Sequence, residues 1–213
     1  MPNHSGKAYA LMVLCPLHSE TGLDQSPEAF LRDLLNDLPQ HERSPMAGVP
    51  NTYLCRFFVL NDVLYQSKPA ELDHLKSKYL AFVAEIYAPE ESDVDDYLRD
   101  MWKAEGGTFV PKVWQYCRGF ESVREPEQFV EYMRLCQVKT TFYFNGSTDE
   151  SLAEQLKALY LKQEFTRFAY EHQGLPAAAL QDAFRSFIGR VRPFDATPTW
   201  RPGASSLSRA VIQ

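Results

Sequence analysis

The sequence predicts an α+β fold, and three observations lead to that prediction. Runs of aromatic and β-branched residues, typical of strands, alternate with segments whose apolar residues recur at helical spacing. The predicted elements follow the order strand, helix, strand, strand, helix, strand, and two further helices come last. Of the 213 residues, 45% are hydrophobic and 23% are charged, a composition typical of a globular protein with its own core.

The first half of the chain is predicted to hold three strands and one helix. The apolar run at residues 8–15 predicts a buried strand that ends at Pro16. Ser26 and Pro27 predict a helix start, because Ser caps well and Pro suits the first helical position. The second and third strands are predicted from their aromatic and β-branched residues, at 51–60 and 78–87.

The second half begins with a divided helical region. Ser92 and Asp95 form a capping pair that starts an amphipathic helix, which Gly106 and Gly107 end. A short helix over 109–117 and another beginning at Pro126 follow. The run at 138–145, closed by Gly146, then predicts the fourth strand.

Two helices and a tail complete the prediction. Ser147 and Glu150 form a capping box, after which the apolar stripe of the helix shifts near Tyr160. Apolar residues at helical spacing over 180–191 predict the last helix. We expect one α+β domain at 1–146, C-terminal helices at 147–191 packed on it, and an irregular tail at 192–213.

The β-α-β-β-α-β order is that of a ferredoxin-like sheet, with the spatial order fourth, first, third, second and helices on one face only. Side chains alternate between the two faces of a strand. Alternation places Tyr53, Phe142 and Phe144 under the helices. It places a mixed set on the open face: Leu54, Arg56, Phe58, Glu85, Thr141, Tyr143 and Asn145. A face this apolar is expected to be covered by a second sheet or another subunit, so we predict a homodimer.

Arg56 and Glu85 are two charged residues predicted on this open face. They lie on neighbouring predicted strands and could pair across the ladder. One interpretation is an ion pair that fixes the register or a dimer interface. The other is that Arg56 recognises an anion in a cavity, which suits its planar fork of donors.

The predicted architecture resembles the dimeric α+β barrel superfamily, in which two ferredoxin-like sheets stack. Local motifs resemble an uncharacterised bacterial family: Arg56-Phe57-Phe58-Val59, Tyr97-Leu98, Val113-Trp114-x-x-Cys117-x-Gly119 and Thr140-Thr141-Phe142-Tyr143. The superfamily includes small monooxygenases, chlorite dismutases and dye-decolourising peroxidases. Two of these groups use haem with a histidine ligand, and this resemblance makes His172 a weak haem candidate. His172 also suits a helix C-terminus next to Gly174.

Three functional hypotheses follow. The first is that a small anionic or aromatic ligand is bound or transformed in a cavity under the open face, lined by Arg56, Glu85, Tyr143 and Asn145. Trp114 could help to place such a ligand, although core packing with its N–H bonded to a carbonyl is the alternative. The second is a non-catalytic partner-binding or assembly protein that uses the open face and the tail. The third and weakest is a haem-dependent oxidoreductase.

Charge and cysteine content restrict the partners and the compartment. The net charge of −6 argues against nucleic acid as the main partner. No apolar run approaches the roughly 20 residues that span a bilayer, and no metal-binding motif is present. The four cysteines form no CxxC pair, so we expect reduced thiols, no resident metal and a cytoplasmic protein. Two disulfides in a secreted protein remain the alternative.

Overall fold

One antiparallel sheet of four strands organises the fold in the computed structural model, which describes residues 3–19, 26–63, 74–146 and 149–204. The strands are β1 (His4–Ser5), β2 (Ala8–Pro16), β3 (Thr52–Leu60) and β4 (Tyr79–Tyr87), in the spatial order β1-β2-β4-β3. The predicted first, second and third strands correspond to β2, β3 and β4 and have the predicted neighbours. With seven α-helices in the described part, the sheet confirms the general α+β class.

Seven helices lie in the described part of the chain, and two of them begin at a serine whose hydroxyl caps the first turn. They are α1 (Pro27–Asn36), α2 (Glu91–Trp102), α3 (Ala104–Gly107), α4 (Phe109–Trp114), α5 (Pro126–Leu135), α6 (Leu152–Glu171) and α7 (Ala177–Val191). As predicted, Ser26 caps α1, and its hydroxyl accepts a hydrogen bond from the Ala29 N–H at 3.3 Å. None of the described helices is both long enough and apolar enough to cross a membrane.

Two of the predicted capping pairs are wrong in position. Helix α2 is capped by Glu90 with Asp93 rather than by Ser92 with Asp95, and α6 by Ser151 with Glu154. Ser147 lies outside the described residues. The cap must be the residue at which extended backbone turns into the helix, and Glu90 and Ser151 have that extended backbone. Spacing alone does not identify this residue.

The fourth strand predicted at 138–145 is absent. Only one bridge joins this segment to β2, at Val13 and Gln137, supported by a hydrogen bond of 2.8 Å from the Val138 N–H to the Met12 carbonyl. Further along the same edge of β2, the Ala10 N–H donates instead to the Asn3 carbonyl at 2.9 Å. The short strand β1 therefore occupies the edge that a longer fourth strand would need.

A continuous apolar core lies on the helix-facing side of the sheet. Leu80, Phe82, Ala84 and Ile86 of β4 are fully buried there, as their alternation predicts. The rings of Phe82 and Trp114 pack edge-on with centroids 6.0 Å apart, and helices α2 and α5 supply further buried side chains. Each fully buried side chain of this size contributes about 1.5–3 kcal/mol through removal of apolar surface from water.

The two C-terminal helices have a small apolar cluster of their own, formed by Phe168, Phe187 and Val191. The buried Lys157 ammonium of α6 donates to the Val191 carbonyl at 2.8 Å and to the Pro198 carbonyl at 2.7 Å. It therefore satisfies a carbonyl at the end of α7 and ties the following segment to α6. We call α6 and α7 together the helical hairpin.

Candidate functional site

The open sheet face is the surface of β3 and β4 that lies opposite the core. Leu54, Arg56 and Phe58 are exposed on β3, and the alternating residues Cys55, Phe57 and Val59 are more buried. Leu54 keeps 53% and Phe58 keeps 41% of its surface accessible. The prediction that these three residues lie opposite the core is confirmed, and they are exposed on β3, whereas Ala81 on the same face of β4 is fully buried.

Arg56 and Glu85 form no ion pair with each other in the described structure, although both lie on this face. The register places Arg56 opposite Val83 and Glu85 opposite Leu54, so the two charged residues are diagonal neighbours. Diagonal positions in an antiparallel pair are about 7–8 Å apart, too far for direct pairing without both side chains leaning together. The prediction of an ion pair between Arg56 and Glu85 is therefore wrong for a single chain. Both side chains can still pair with a charged group of another molecule.

A β-bulge changes the face on which Tyr53 lies. The register shifts between Thr52 and Leu54, so Tyr53 is an extra residue with no partner on β4. Its hydroxyl donates to the Glu150 carbonyl at 2.7 Å. Burial, followed by the nearby Tyr87 and Asp149, raises the pKa of Tyr53 to about 12. The prediction that Tyr53 packs under the helices is wrong, because the bulge interrupts the alternation and turns the ring towards Tyr87.

Tyr143 is the predicted site residue with the most unusual environment. Its hydroxyl is buried and has no hydrogen-bond partner among the described residues. Burial raises the pKa of this phenol, and the negative charge of the nearby Glu85 raises it further. The structure thus brings Glu85 and Tyr143 together, beside Tyr53. A buried hydroxyl without a hydrogen-bond partner lowers the stability of a protein by about 1–3 kcal/mol. A polar group that hydrogen-bonds Tyr143 would remove this cost.

The rest of segment 138–146 contradicts the predicted strand faces. Phe142 and Phe144, expected under the helices, keep 81% and 74% of their surfaces accessible. Asn145 is half-buried, and its backbone N–H donates to the Ser5 hydroxyl at 3.1 Å. No continuous ladder holds this segment against the sheet, and these two apolar rings are exposed to solvent.

Trp114 lies away from the other predicted site residues. It is fully buried on the core side of the sheet, where its ring packs edge-on against Phe57 at 5.8 Å. Its indole N–H has no hydrogen-bond partner in the part of the chain that is described, so the predicted bond to a carbonyl is wrong. The sheet separates Trp114 from Glu85 and Tyr143, which lie on the open face.

His172 ends helix α6 as its C-cap residue. Its Nδ1 lies 2.8 Å from the Phe168 carbonyl, and its ring stacks on that of Phe168 with centroids 4.3 Å apart. These contacts agree with the interpretation of His172 as a helix C-terminal histidine. The haem hypothesis stays a prediction.

Three cysteines meet next to a surface cleft, an arrangement that the sequence analysis missed. A hydrogen bond with the Cys117 thiol, together with burial, raises the pKa of Cys15 to about 12, although a hydrogen bond with the Cys136 thiol acts in the opposite direction. Cys136 also lines a cleft of about 760 Å³ between β2 and α5. All four cysteines are free, and the described residues contain no group of ligands able to hold a metal ion. Their wide spacing in the sequence carries no signal of this cluster.

No protein-family model, curated protein or solved structure matches this chain. The resemblance to the dimeric α+β barrel superfamily therefore stays a prediction. The function has to be inferred from the geometry of the open sheet face and of the helical hairpin.

Proposed function

We propose that this protein is a binding and assembly protein that forms a homodimer through its open sheet face. The observation that carries the proposal is the exposure of Leu54 and Phe58 on one side of a sheet whose other side is the main core. Exposed apolar side chains on one face of a sheet favour an interaction site there, because removal of apolar surface from water contributes about 25 cal/mol per Å².

The charges of this face support a second copy of the chain as the partner. Arg56 and Glu85 lie on the same face and form no ion pair with each other in the described structure. A two-fold axis makes an interface self-complementary, so each charge has an opposite charge available on the other copy. A patch that holds both signs within two strands therefore suits a homodimer better than a partner of a single charge.

The strand arrangement supports a ferredoxin-like sheet as the finer description of the fold. The antiparallel order of β2, β4 and β3 has the neighbours expected of that topology, and the Val13–Gln137 bridge lies where a fourth strand of that topology would begin. In the barrel arrangement that the resemblance implies, the two open faces stack on each other.

A small-molecule site under the covered face is the second candidate function, and the unpartnered Tyr143 hydroxyl favours it. A bound ligand or water that hydrogen-bonds this hydroxyl removes the cost of leaving it unsatisfied. The sequence-based hypothesis of a small anionic or aromatic ligand would use Arg56 for a negative group and the neighbouring tyrosines for a ring.

Substitution of one apolar residue tests the dimer. We expect wild-type protein to have a light-scattering mass of twice 24.4 kDa, and Phe58→Asp to have the monomer mass with unchanged circular dichroism. A charge placed on the face cannot be buried at low cost, whereas Leu135→Asp alters an exposed residue of α5 and should leave the dimer intact. A monomeric wild-type protein, or a Phe58→Asp dimer, would refute the proposal.

A further inference from the structure

Three cysteines from distant parts of the chain meet at the end of β2. The Leu14 N–H donates to the Cys136 carbonyl at 3.0 Å, and a bridge pairs Leu17 with Cys117. These two backbone contacts hold Cys136 and Cys117 on either side of Cys15. The Cys15 thiol interacts with both of the other thiols, in agreement with this backbone arrangement.

The three thiols differ in their access to solvent. Cys15 and Cys117 are fully buried and belong to the main core. Cys136 is half-buried and lines the cleft of about 760 Å³ between β2 and α5, together with polar residues such as Arg118 and Glu131. A small reagent that enters the cleft therefore reaches Cys136 before it reaches Cys15.

The surroundings of Cys15 and Cys136 keep both thiols protonated. The Cys117 thiol and burial raise the pKa of Cys15 to about 12, and the Cys15 thiol and burial raise the pKa of Cys136. Dithiols whose reduced form is stabilised as a thiolate give disulfides that are easily reduced. This pair has no such stabilisation, so we expect its disulfide to form slowly and, once formed, to resist reduction.

The position of Cys136 links this pair to the segment that reaches the open sheet face. Cys136 is the C-cap residue of α5 and directly precedes the bridge that joins segment 138–146 to β2. Tyr143 of this segment lies beside Glu85 of the open face. A bond from Cys136 to Cys15 would attach the start of the segment covalently to the same strand. It would also close a long loop, which lowers the entropy of the unfolded chain and stabilises the folded one.

We propose that Cys136 is an oxidation site and that a low-molecular-weight disulfide entering the cleft converts Cys15 and Cys136 into an intrachain disulfide. The Cys136 thiol loses its proton to water and attacks one sulfur of the reagent, and the thiolate released there takes a proton from water. The Cys15 sulfur then attacks Cys136 in the mixed disulfide, and the Cys15 proton goes to the second departing thiolate. The protein pair loses two electrons and two protons, and the reagent becomes two thiols. This site does not depend on the proposed homodimer.

Treatment of the native chain with glutathione disulfide, followed by denaturation, alkylation of the remaining thiols and peptide mapping, tests the proposal. We expect wild-type protein to lose two thiols, to retain no glutathione and to yield a Cys15–Cys136 peptide at monomer mass. Cys15→Ala should instead retain one glutathione on Cys136, because the second thiol is missing. Cys136→Ser should form no disulfide in the cluster. Cys55→Ser, at a half-buried cysteine of β3, is the matched control and should oxidise like wild type.

Other results would overturn the proposal. Glutathione retained on Cys136 of wild type would show that Cys15 does not displace it, and an unmodified Cys136 would show that the cleft gives the reagent no access. A Cys15–Cys117 link that also forms in Cys136→Ser would show that oxidation enters elsewhere.

Hydrogen exchange supplies a second measurement that needs no substitution in the core. Exchange in segment 138–146 should slow after oxidation of wild type and stay unchanged in treated Cys136→Ser. The same exchange rates before and after the disulfide forms would refute its effect on the segment.

Discussion

The sheet with its helices and the helical hairpin are stabilised in different ways. The main core is continuous and includes fully buried side chains such as Trp114, Phe82 and Phe129. The hairpin buries three apolar side chains and, beside them, the charged residues Lys157 and Glu164. The first region is held by removal of apolar surface from water, while the second relies on specific polar contacts.

The small core of the hairpin has a consequence for its exposed residues. Three buried apolar side chains supply little stabilisation for two helices, because small helical units need a larger shared core. Meanwhile, the aromatic residues that would enlarge that core, Phe165 and Phe184, remain open to solvent. Burial of these two rings against another surface would add apolar area to the small core of the hairpin and stabilise it.

The largest expected effect is the loss of a core aromatic residue. Trp114→Ala removes a fully buried ring that contacts Phe57 and Phe129, and we expect the free energy of unfolding to fall by about 3–5 kcal/mol. Urea denaturation followed by circular dichroism measures this change. Trp102→Ala, at a half-buried tryptophan of α2, is the matched control and should cost less. Equal losses in the two variants would contradict the description of the core.

A smaller and more local effect is expected in the hairpin. Lys157→Met leaves the Val191 and Pro198 carbonyls without the ammonium donor, at a cost of about 1–3 kcal/mol. Hydrogen exchange should accelerate in α7 and remain slow in β4, because the two regions have separate apolar clusters. Lys162→Met, at an exposed position of α6, should leave both rates unchanged. Faster exchange throughout β4 would show that the two regions unfold together.

The smallest expected effect is the response of the main domain to acid. Burial alone would raise the pKa of Glu91, but the Arg134 guanidinium at 2.7 Å outweighs it and lowers the pKa below the ordinary value of 4.5. A lowered pKa in the folded state means that the contact stabilises the protein above about pH 4.5 and that this contribution is lost as the pH falls further. Because Glu91 is half-exposed, we expect a loss of less than about 1 kcal/mol.

Urea midpoints measured at pH 6 and pH 3.5 for wild type and Glu91→Gln test this expectation. The wild-type protein should lose more stability between the two pH values than the variant, whose side chain does not titrate. The same loss in both proteins would exclude Glu91 as the source of the pH dependence.

Local residue patterns were sufficient for the long strands and for several helix starts. Alternating apolar residues over 79–87 predicted both the existence of β4 and its buried side, since alternation is a property of one strand alone. Ser26 followed by Pro27 likewise identified the start of α1. The capping pairs of α2 and α6 were misplaced, because each of those stretches contains more than one polar residue with the right spacing.

The candidate site was less predictable, because its geometry depends on pairing between distant segments. Arg56 and Glu85 were correctly expected on one face, but the ladder register decided that the two charges are diagonal. The bulge that brings Tyr53 beside Tyr87 is a property of two strands together and has no signature in one of them. The cysteine cluster joins residues more than 100 positions apart along the chain, out of reach of any spacing rule.

The sequence by itself determined the α+β class and the three long strands with their buried sides. These properties depend on neighbouring residues and on composition. Only the tertiary structure decided that β1 takes the place of the fourth strand, that Phe142 and Phe144 face solvent, and that the hairpin has its own small cluster. The physical reason is competition: one edge of β2 can hydrogen-bond one partner at each position, and local sequence does not show which distant segment binds there.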